Sequence, residues 1–158
     1  MARLEKNPKA EKLHEEFLQK YKNYLAEHQL KFTSQRAQII TEFLRAGGHV
    51  SVEELFRVVK KKAKGVGLAS VYRTVNSLVE AGLATERKFL DKSSVYEIHE
   101  PGHHHDHLIC IKCRKIFEFE NEKIEELQKE VASSLGFTLQ NHKLELYGYC
   151  QKTNCPNL

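Results

Sequence analysis

The spacing of the four cysteines is the feature that most constrains this chain. Two residues lie between Cys110 and Cys113, four lie between Cys150 and Cys155, and 36 residues separate the pairs. Two close pairs of thiolates can complete a tetrahedral ion site with no open position, which is typical of structural zinc. Buried or disulfide-bonded cysteines are the alternative. The spacing predicts a zinc site that ties the last strand to the start of its domain and couples metal binding to folding.

The hydropathy of the chain predicts a cytoplasmic protein. No apolar run approaches the roughly 18 residues that would span a bilayer, and the first residues lack the apolar core of a signal peptide. In that reducing compartment cysteines seldom form disulfides, which favours the metal interpretation. We therefore expect no membrane contact.

Positive charge is concentrated in the first part of the chain. Residues 1–100 carry 18 Lys and Arg against 13 Asp and Glu, whereas the remainder carries 7 against 8. A one-sided basic excess suits contact with a polyanion, although it is also compatible with an ordinary solvated surface.

Apolar residues at helical spacing predict four helices in the first part of the chain. The first helix runs through Leu13 to Leu25, and the second follows the N-cap candidates Thr33 and Ser34 and stops at Gly47-Gly48. The third opens with a capping box at residues 51–54, and the fourth carries residues 68–78 and is closed by Gly82. Three short helices in succession suggest a helix-turn-helix.

Extended segments follow the fourth helix. Residues 83–90 and 95–98 predict a hairpin, which would form a wing beside the helices. After the break at Pro101-Gly102, residues 108–111, 116–119 and 144–149 predict strands around a helix at 124–135. The fold class is therefore α+β: a winged-helix domain over residues 1–99, including an N-terminal extension, and a small α/β domain over residues 100–158.

A histidine cluster runs directly into the first of these later strands. Because side chains alternate along a strand, His105 and His107 point to one face, and His104 and Asp106 point to the other. One short segment can therefore serve two metal sites, with nitrogen and oxygen ligands suited to Fe(II), Mn(II), Co(II), Ni(II) or Zn(II). A merely solvated polar cluster is the alternative.

The fourth helix carries a polar face opposite its apolar residues. That face holds Ser70, Arg73, Asn76 and Ser77, with Tyr72 at its edge. In a major groove an arginine can reach guanine and a tyrosine can pack on a thymine methyl. The pattern favours DNA reading over a plain solvated face because a wing and further helices accompany it.

Taken together, these motifs resemble the ferric uptake regulator family. The resemblance rests on Gly67-Leu-Ala-Ser-Val-Tyr-Arg-Thr74, on the run from His103 to Cys113, and on Tyr147-Gly-x-Cys150-x4-Cys155. It implies a homodimer, possibly joining into tetramers, that binds pseudo-palindromic operator DNA when loaded with divalent metal and that is not an enzyme.

The resemblance also implies roles for particular residues. A structural zinc would be held by Cys110, Cys113, Cys150 and Cys155. A regulatory hinge site would use His49, Glu97, His105, His107 and Glu118. A second core site would use His104, Asp106, Glu125 and His142. Contacts to DNA would come from Lys31, Tyr72 and Arg73, to which the polar face of the fourth helix adds Ser70 and Asn76.

Glu97 and Glu118 favour an iron-type member, with Fe(II) as the regulatory metal and Mn(II), Co(II) or Zn(II) as substitutes. Peroxide sensors resemble this pattern but place Asp at both positions, and zinc sensors bring a cysteine to the sensing site; manganese sensors share the architecture. Compared with the usual spacing in iron-type members, one extra residue lies between Glu97 and the histidine cluster, so His99 and Glu100 are alternative ligands. A zinc hydrolase built on His105 and His107 and a metal-storage module are the rival classes, and no HExxH motif supports the former.

Overall fold

The computed structural model describes residues 8–90, 93–99 and 105–151. The chain divides into two compact units, Met1–Pro101 and Gly102–Leu158. Helices and strands occur together in the chain, which confirms the predicted α+β class. No helix in the described part of the chain is long and apolar enough to cross a membrane.

Four helices form most of the first unit: α1 (Pro8–Glu27), α2 (Ser34–Ala46), α3 (Val52–Lys62) and α4 (Leu68–Glu80). Local capping explains where two of them begin. The Thr33 side chain accepts a hydrogen bond from the Arg36 amide at the start of α2. Ser51 and Glu54 form the predicted capping box of α3. The first helix begins at Pro8, earlier than its apolar pattern indicated.

A three-stranded antiparallel sheet completes the first unit. Its strands are β1 (Val50–Ser51), β2 (Ala84–Phe89) and β3 (Ser93–Ile98), in the order β1-β3-β2. The predicted hairpin is confirmed as β2 and β3, and with α2 to α4 it makes a winged helix. The sequence did not predict β1, which is two residues long and exists only through its pairing with β3.

The core of the first unit is apolar and includes α1. Phe17, Tyr21 and Leu25 from α1 are buried against residues of α2, α3, α4 and the sheet. One buried carboxylate, Glu42 on α2, is paired with Lys62 of α3 at 2.6 Å. The N-terminal helix is thus an integral part of the winged-helix unit.

The second unit is a small sheet with one helix. Its elements are β4 (Asp106–Cys110), β5 (Ile116–Phe119), α5 (Glu122–Ser134) and β6 (Glu145–Gly148). The strand order is β5-β4-β6, with β4 antiparallel to β5 and parallel to β6. Because parallel neighbours need a long crossover connection, α5 lies in the segment that leads to β6.

The second unit buries little apolar surface. Ile109 and Cys110 are its buried apolar residues within the described ranges, and none of the residues of α5 is buried. Leu127 and Val131 of α5 remain 59% and 52% exposed. Hydrophobic burial within this unit is therefore too small to dominate its stability.

Candidate metal centres and candidate nucleic-acid interface

Three of the four predicted zinc-site cysteines converge at the ends of β4 and β6. The sulfur of Cys150 lies 3.6 Å from that of Cys110 and 3.8 Å from that of Cys113. Sulfurs held at about 2.3 Å around a tetrahedral zinc are about 3.8 Å apart. Both separations are much longer than the roughly 2.05 Å of a disulfide bond, so Cys150 is not bonded to either of the other two sulfurs. The arrangement fits a shared ion, and Cys155 lies outside the described residues.

Backbone amides prepare Cys110 to act as a thiolate. The N–H groups of Cys113 and Cys150 donate to its sulfur at 3.4 and 3.5 Å. The pKa of Cys110 is lowered from 9.0 to about 6, most strongly by the bond from Cys113 and next by the bond from Cys150. Since the thiolate is the form that ligates metal, the turn favours metal binding at neutral pH.

The start of β4 separates its ligands onto two faces. The rings of His105 and His107 lie together, with centroids 5.0 Å apart. The intervening Asp106 instead groups with Glu125 of α5 and with His142, which precedes β6. His104, assigned to the same side as Asp106, lies outside the described residues.

The Asp106 cluster has the geometry of a cation site. His142 Nε2 is 3.2 Å from Glu125 Oε1 and 3.7 Å from Asp106 Oδ1. Asp106 is 1% exposed, and neither of its oxygens accepts a hydrogen bond from the described residues. A buried carboxylate without donors is costly unless a cation neutralises it. The residues present therefore fit a divalent metal.

An acidic cavity lies beside this cluster. Its volume is about 400 Å³. The carboxylates that line it are Asp106, Glu120, Glu122, Glu125 and Glu126. With Lys129 as the sole basic group among its described lining residues, the cavity has a potential that attracts cations.

In the first unit, the predicted hinge ligands His49 and Glu97 are already in contact. His49 Nε2 lies 2.7 Å from Glu97 Oε2, and both side chains are buried. Arg87 Nε donates to the other carboxylate oxygen of Glu97 at 2.8 Å. The alternative ligand His99 is exposed and contacts Thr85, and Glu100 lies outside the described residues. Glu97 is therefore better placed than His99 to share a ligand with His49.

In the second unit, the remaining hinge ligands lie on neighbouring strands. Glu118 of β5 stands opposite His107 of β4 in the antiparallel ladder. On the other side of β4, Glu145 of β6 is the register partner of His107. Direct partners on adjacent strands point to the same face of a sheet. His107 is consequently flanked by a carboxylate on each side.

The polar face of α4 is largely as predicted. Tyr72 and Arg73 are exposed, Ser70 is half-buried, and Lys31 is exposed just before α2. Asn76 is half-buried, and its Oδ1 accepts a hydrogen bond from the Tyr96 hydroxyl of β3 at 3.5 Å. Lys31, Tyr72 and Arg73 are therefore accessible for contact with DNA in the folded unit.

The placement of Ser77 on that face was wrong. Ser77 is 6% exposed, and its hydroxyl accepts a hydrogen bond from Tyr21 of α1 at 3.1 Å. Thr74 is buried on the same helix. The apolar pattern of α4 showed one buried stripe and did not mark Ser77, which is buried where Tyr21 of α1 bonds to it.

Sequence reasoning missed two arginines in these sites. Arg87 lies on β2 and reaches Glu97 across the ladder, and only the register of β2 with β3 brings them together. Arg36 lines a cleft between α2 and α4 together with Arg73. Neither position is visible in a local sequence pattern, because the first depends on strand register and the second on helix packing.

Comparison with known proteins identifies the family of this winged-helix, metal-site architecture. Residues 27–147 match the ferric uptake regulator family. A curated relative, the ferric uptake regulation protein of Yersinia pestis, is 45% identical over 128 residues, covering 80% of this chain and 85% of its own. The chain belongs to the ferric uptake regulator family.

Solved structures agree with this assignment. The ferric uptake regulator Fur of Helicobacter pylori, whose structure reveals three functional metal binding sites, has a TM-score of 0.80 and is 30% identical, covering 96% of this chain and 95% of its own. The peroxide stress regulator of Campylobacter jejuni has a TM-score of 0.60 and is 29% identical, covering 82% and 95%. Similar proteins therefore include regulators with different named roles.

Proposed function

We propose that this protein is a metal-dependent transcriptional repressor that binds operator DNA as a homodimer in the cytoplasm when loaded with Fe(II) or a similar divalent metal. It has no enzymatic role in this proposal. One observation carries the proposal: in a member of this family, a winged helix with exposed Tyr72 and Arg73 occurs together with partly buried clusters of metal-ligating side chains.

The α4 helix is the proposed reader of the operator. Arg73 would bond to guanine and Tyr72 would pack on a thymine methyl, with Ser70 and Asn76 beside them and Lys31 near the minor groove. Each lost base contact should cost about 1 to 3 kcal/mol of binding free energy. The exposure of Tyr72 and Arg73 supports this role, because both can reach a groove.

The cysteine cluster is the proposed structural zinc site, completed by Cys155. The sulfur spacing and the lowered pKa of Cys110 support it. A closed site of four thiolates leaves no position for substrate, so the ion would act on folding alone.

We assign regulation to an ion held by His49 and Glu97 of the first unit together with His105, His107 and Glu118 of the second. Such an ion would fix the angle between two hinged bodies, and in a two-fold dimer that angle sets the spacing of the recognition helices. Metal can shift this equilibrium only by its differential affinity for the closed arrangement. Glu97 and Glu118 support Fe(II), with Mn(II), Co(II) or Zn(II) as substitutes.

The cluster of Asp106, Glu125 and His142, with His104, is the proposed second core site. All of its members belong to the second unit, so an ion there would stabilise that unit rather than set the angle between the two units. The buried, unbonded carboxylate of Asp106 supports occupancy by a cation.

A second copy of this chain is the proposed partner of the second unit. Leu127, Val131, Leu135 and Phe137 are each more than half exposed, and Leu108 and Leu146 are exposed register partners on β4 and β6. Apolar surface of this extent on so small a unit is typical of an oligomer interface. Analytical sedimentation of the full chain would show whether dimers join into tetramers.

A gel shift over a Mn(II) or anaerobic Fe(II) titration tests the proposal. Glu97→Ala and His105→Ala should abolish metal-dependent operator binding while the zinc and the dimer remain. Glu125→Ala and His142→Ala should do less. Loss of activation in the second pair with activation kept in the first would reverse the assignment of the two sites, and wild-type protein that binds no operator with any metal would refute the proposed function.

One variant of the proposal keeps the same architecture with a different signal. The similarity to a peroxide stress regulator favours testing it. If hydrogen peroxide releases the Fe(II)-loaded protein from DNA and leaves the Mn(II)-loaded protein bound, the protein senses peroxide rather than iron.

A further inference from the structure

The cleft between α2 and α4, which we call the α2–α4 cleft, is a feature of the first unit to which the proposed function assigns no ligand. It has a volume of about 180 Å³, and Thr33 and Arg36 line one side while Ser70 and Arg73 line the other. Among the described residues that line it, none carries a carboxylate. Two guanidinium groups therefore share a small polar cleft without an acidic partner in its walls.

Arg36 is the unusual member of this cleft. Its Nη1 is shielded from solvent and has no hydrogen-bond partner among the described residues. Burial raises the pKa of the Tyr21 and Tyr24 hydroxyls, the Glu80 carboxylate raises it further and the Arg36 charge opposes the shift, so the guanidinium lies near α1 as well. Glu80 accepts a hydrogen bond from Tyr24 and none from Nη1 of Arg36. A charged donor that is buried without an acceptor is unfavourable, so this position favours an anion supplied from outside the unit.

The cleft also lies beside the proposed DNA-reading residues. Ser70 and Arg73 belong to the polar face of α4, and Thr33 is the N-cap residue of α2. Phosphate oxygens are bound by arginines, hydroxyl groups and helix N-termini, and all three kinds of group meet here.

We propose that the α2–α4 cleft binds one backbone phosphate of the operator and that Arg36 is its principal ligand. This inference rests on the proposed function, because it names a further contact of the same DNA-binding surface. Tyr72 reads base edges in that proposal, whereas Arg36 positions the unit on the duplex and carries no sequence preference.

The salt dependence of DNA binding distinguishes these roles. Neutralising one phosphate contributes about 0.9 to the slope of log K against log salt concentration. Arg36→Gln should therefore lower the slope by about 0.9 for each chain that contacts the DNA, and weaken operator and non-operator DNA alike, by about tenfold at low salt. Tyr72→Ala should weaken the operator selectively and leave the slope unchanged.

Lys12→Gln is the matched charge control. Lys12 lines no part of the cleft, and the neighbouring His14 contacts Thr41 in the middle of α2 rather than the start of that helix. The control removes one positive charge outside the cleft, so it should leave the slope at the wild-type value. A loss of slope in both variants would indicate a general charge effect and overturn the assignment.

A second measurement keeps the inference testable if Arg36→Gln does not fold. Operator duplexes with a single uncharged methylphosphonate, moved one position at a time, locate the contacted phosphate. Wild-type protein should lose affinity at one position per half-site, and Arg36→Lys, which keeps the charge without the guanidinium fork, should lose less there. Equal sensitivity of both proteins at every position would overturn the proposal.

A free anion is the other source of phosphate. Inorganic phosphate that raises the Tm of wild-type protein but not of Arg36→Gln, with both salt slopes equal, would show a free-anion site instead of a DNA contact. If wild-type protein binds no operator at all, the proposed function fails. If wild-type protein binds and Arg36→Gln keeps the wild-type slope and phosphate profile, only this inference fails.

Discussion

The hydroxyl of Tyr21 on α1 donates a hydrogen bond to the hydroxyl of Ser77 on α4 across 3.1 Å, and both residues are buried. Although 56 residues separate them, this bond ties the N-terminal helix to the helix that carries the proposed DNA-reading residues. The segment that matches the family begins at residue 27, where α1 ends, so α1 supports α4 from outside the matched segment.

Removing this bond should destabilise the first unit. We expect Tyr21→Phe to lower the free energy of unfolding by about 1 kcal/mol, since Ser77 loses its buried donor. Denaturant unfolding of the full chain measures the change. Tyr24→Phe is the control, because its bond to Glu80 is exposed and should contribute less. A larger loss in the control than in Tyr21→Phe would contradict the role assigned to the buried pair.

The lowered pKa of Cys110 predicts the pH dependence of thiol reactivity. In reduced protein from which zinc has been removed and whose second unit is still folded by circular dichroism, the first thiol to titrate should do so near pH 6, because two backbone N–H groups stabilise its thiolate. A depressed folded-state pKa contributes stability at high pH, and this contribution is lost as pH falls from 9 toward 6. Alkylation rates across this range test it, and a single titration near the ordinary cysteine pKa would count against the turn geometry.

Loss of the proposed zinc ligands should affect the second unit more than the first. Cys150→Ser is expected to lose the bound zinc and to unfold the second unit or abolish dimers, because this unit has few buried apolar residues in its described part. Metal content and sedimentation report the two effects. Folded, dimeric, metal-free Cys150→Ser protein would refute the structural role of the site.

The exposed face of α5 can be tested by adding charge. Val131→Lys places an ammonium on a residue that is 52% exposed in the isolated chain and is proposed to be buried in the dimer. We expect it to weaken dimerisation at least tenfold, measured by sedimentation over a concentration series. Ser133→Lys adds the same charge to an exposed polar position of α5. Equal weakening by both variants would show that charge alone is responsible.

Features set by local chemistry could be predicted from the sequence. The capping box of Ser51 and Glu54, the end of α2 at Gly47 and the wing hairpin depend on neighbouring residues, and all are present. Alternation along one strand also separated His105 and His107 from Asp106 before any packing was known.

Features set by packing could not be predicted in the same way. Ser77 is buried where Tyr21 of α1 donates a hydrogen bond to it, and an apolar pattern does not mark a buried polar contact. Arg87 reaches Glu97 through strand register, and β1 is a strand only because β3 pairs with it. Each of these depends on a partner that is distant in sequence, so the residue types alone carried no signal.

The contact between Cys110 and Cys150 joins the carboxyl ends of two parallel strands that are 40 residues apart in the chain. In polymer terms, an ion shared by these sulfurs closes a loop that contains β5 and α5. A permanent cross-link of that length would reduce the conformational entropy of the unfolded chain by an amount equivalent to about 4 kcal/mol. Because a metal bond is reversible, that entropy would be restored to the unfolded chain when zinc is withdrawn, so zinc supply would set what fraction of the second unit is folded.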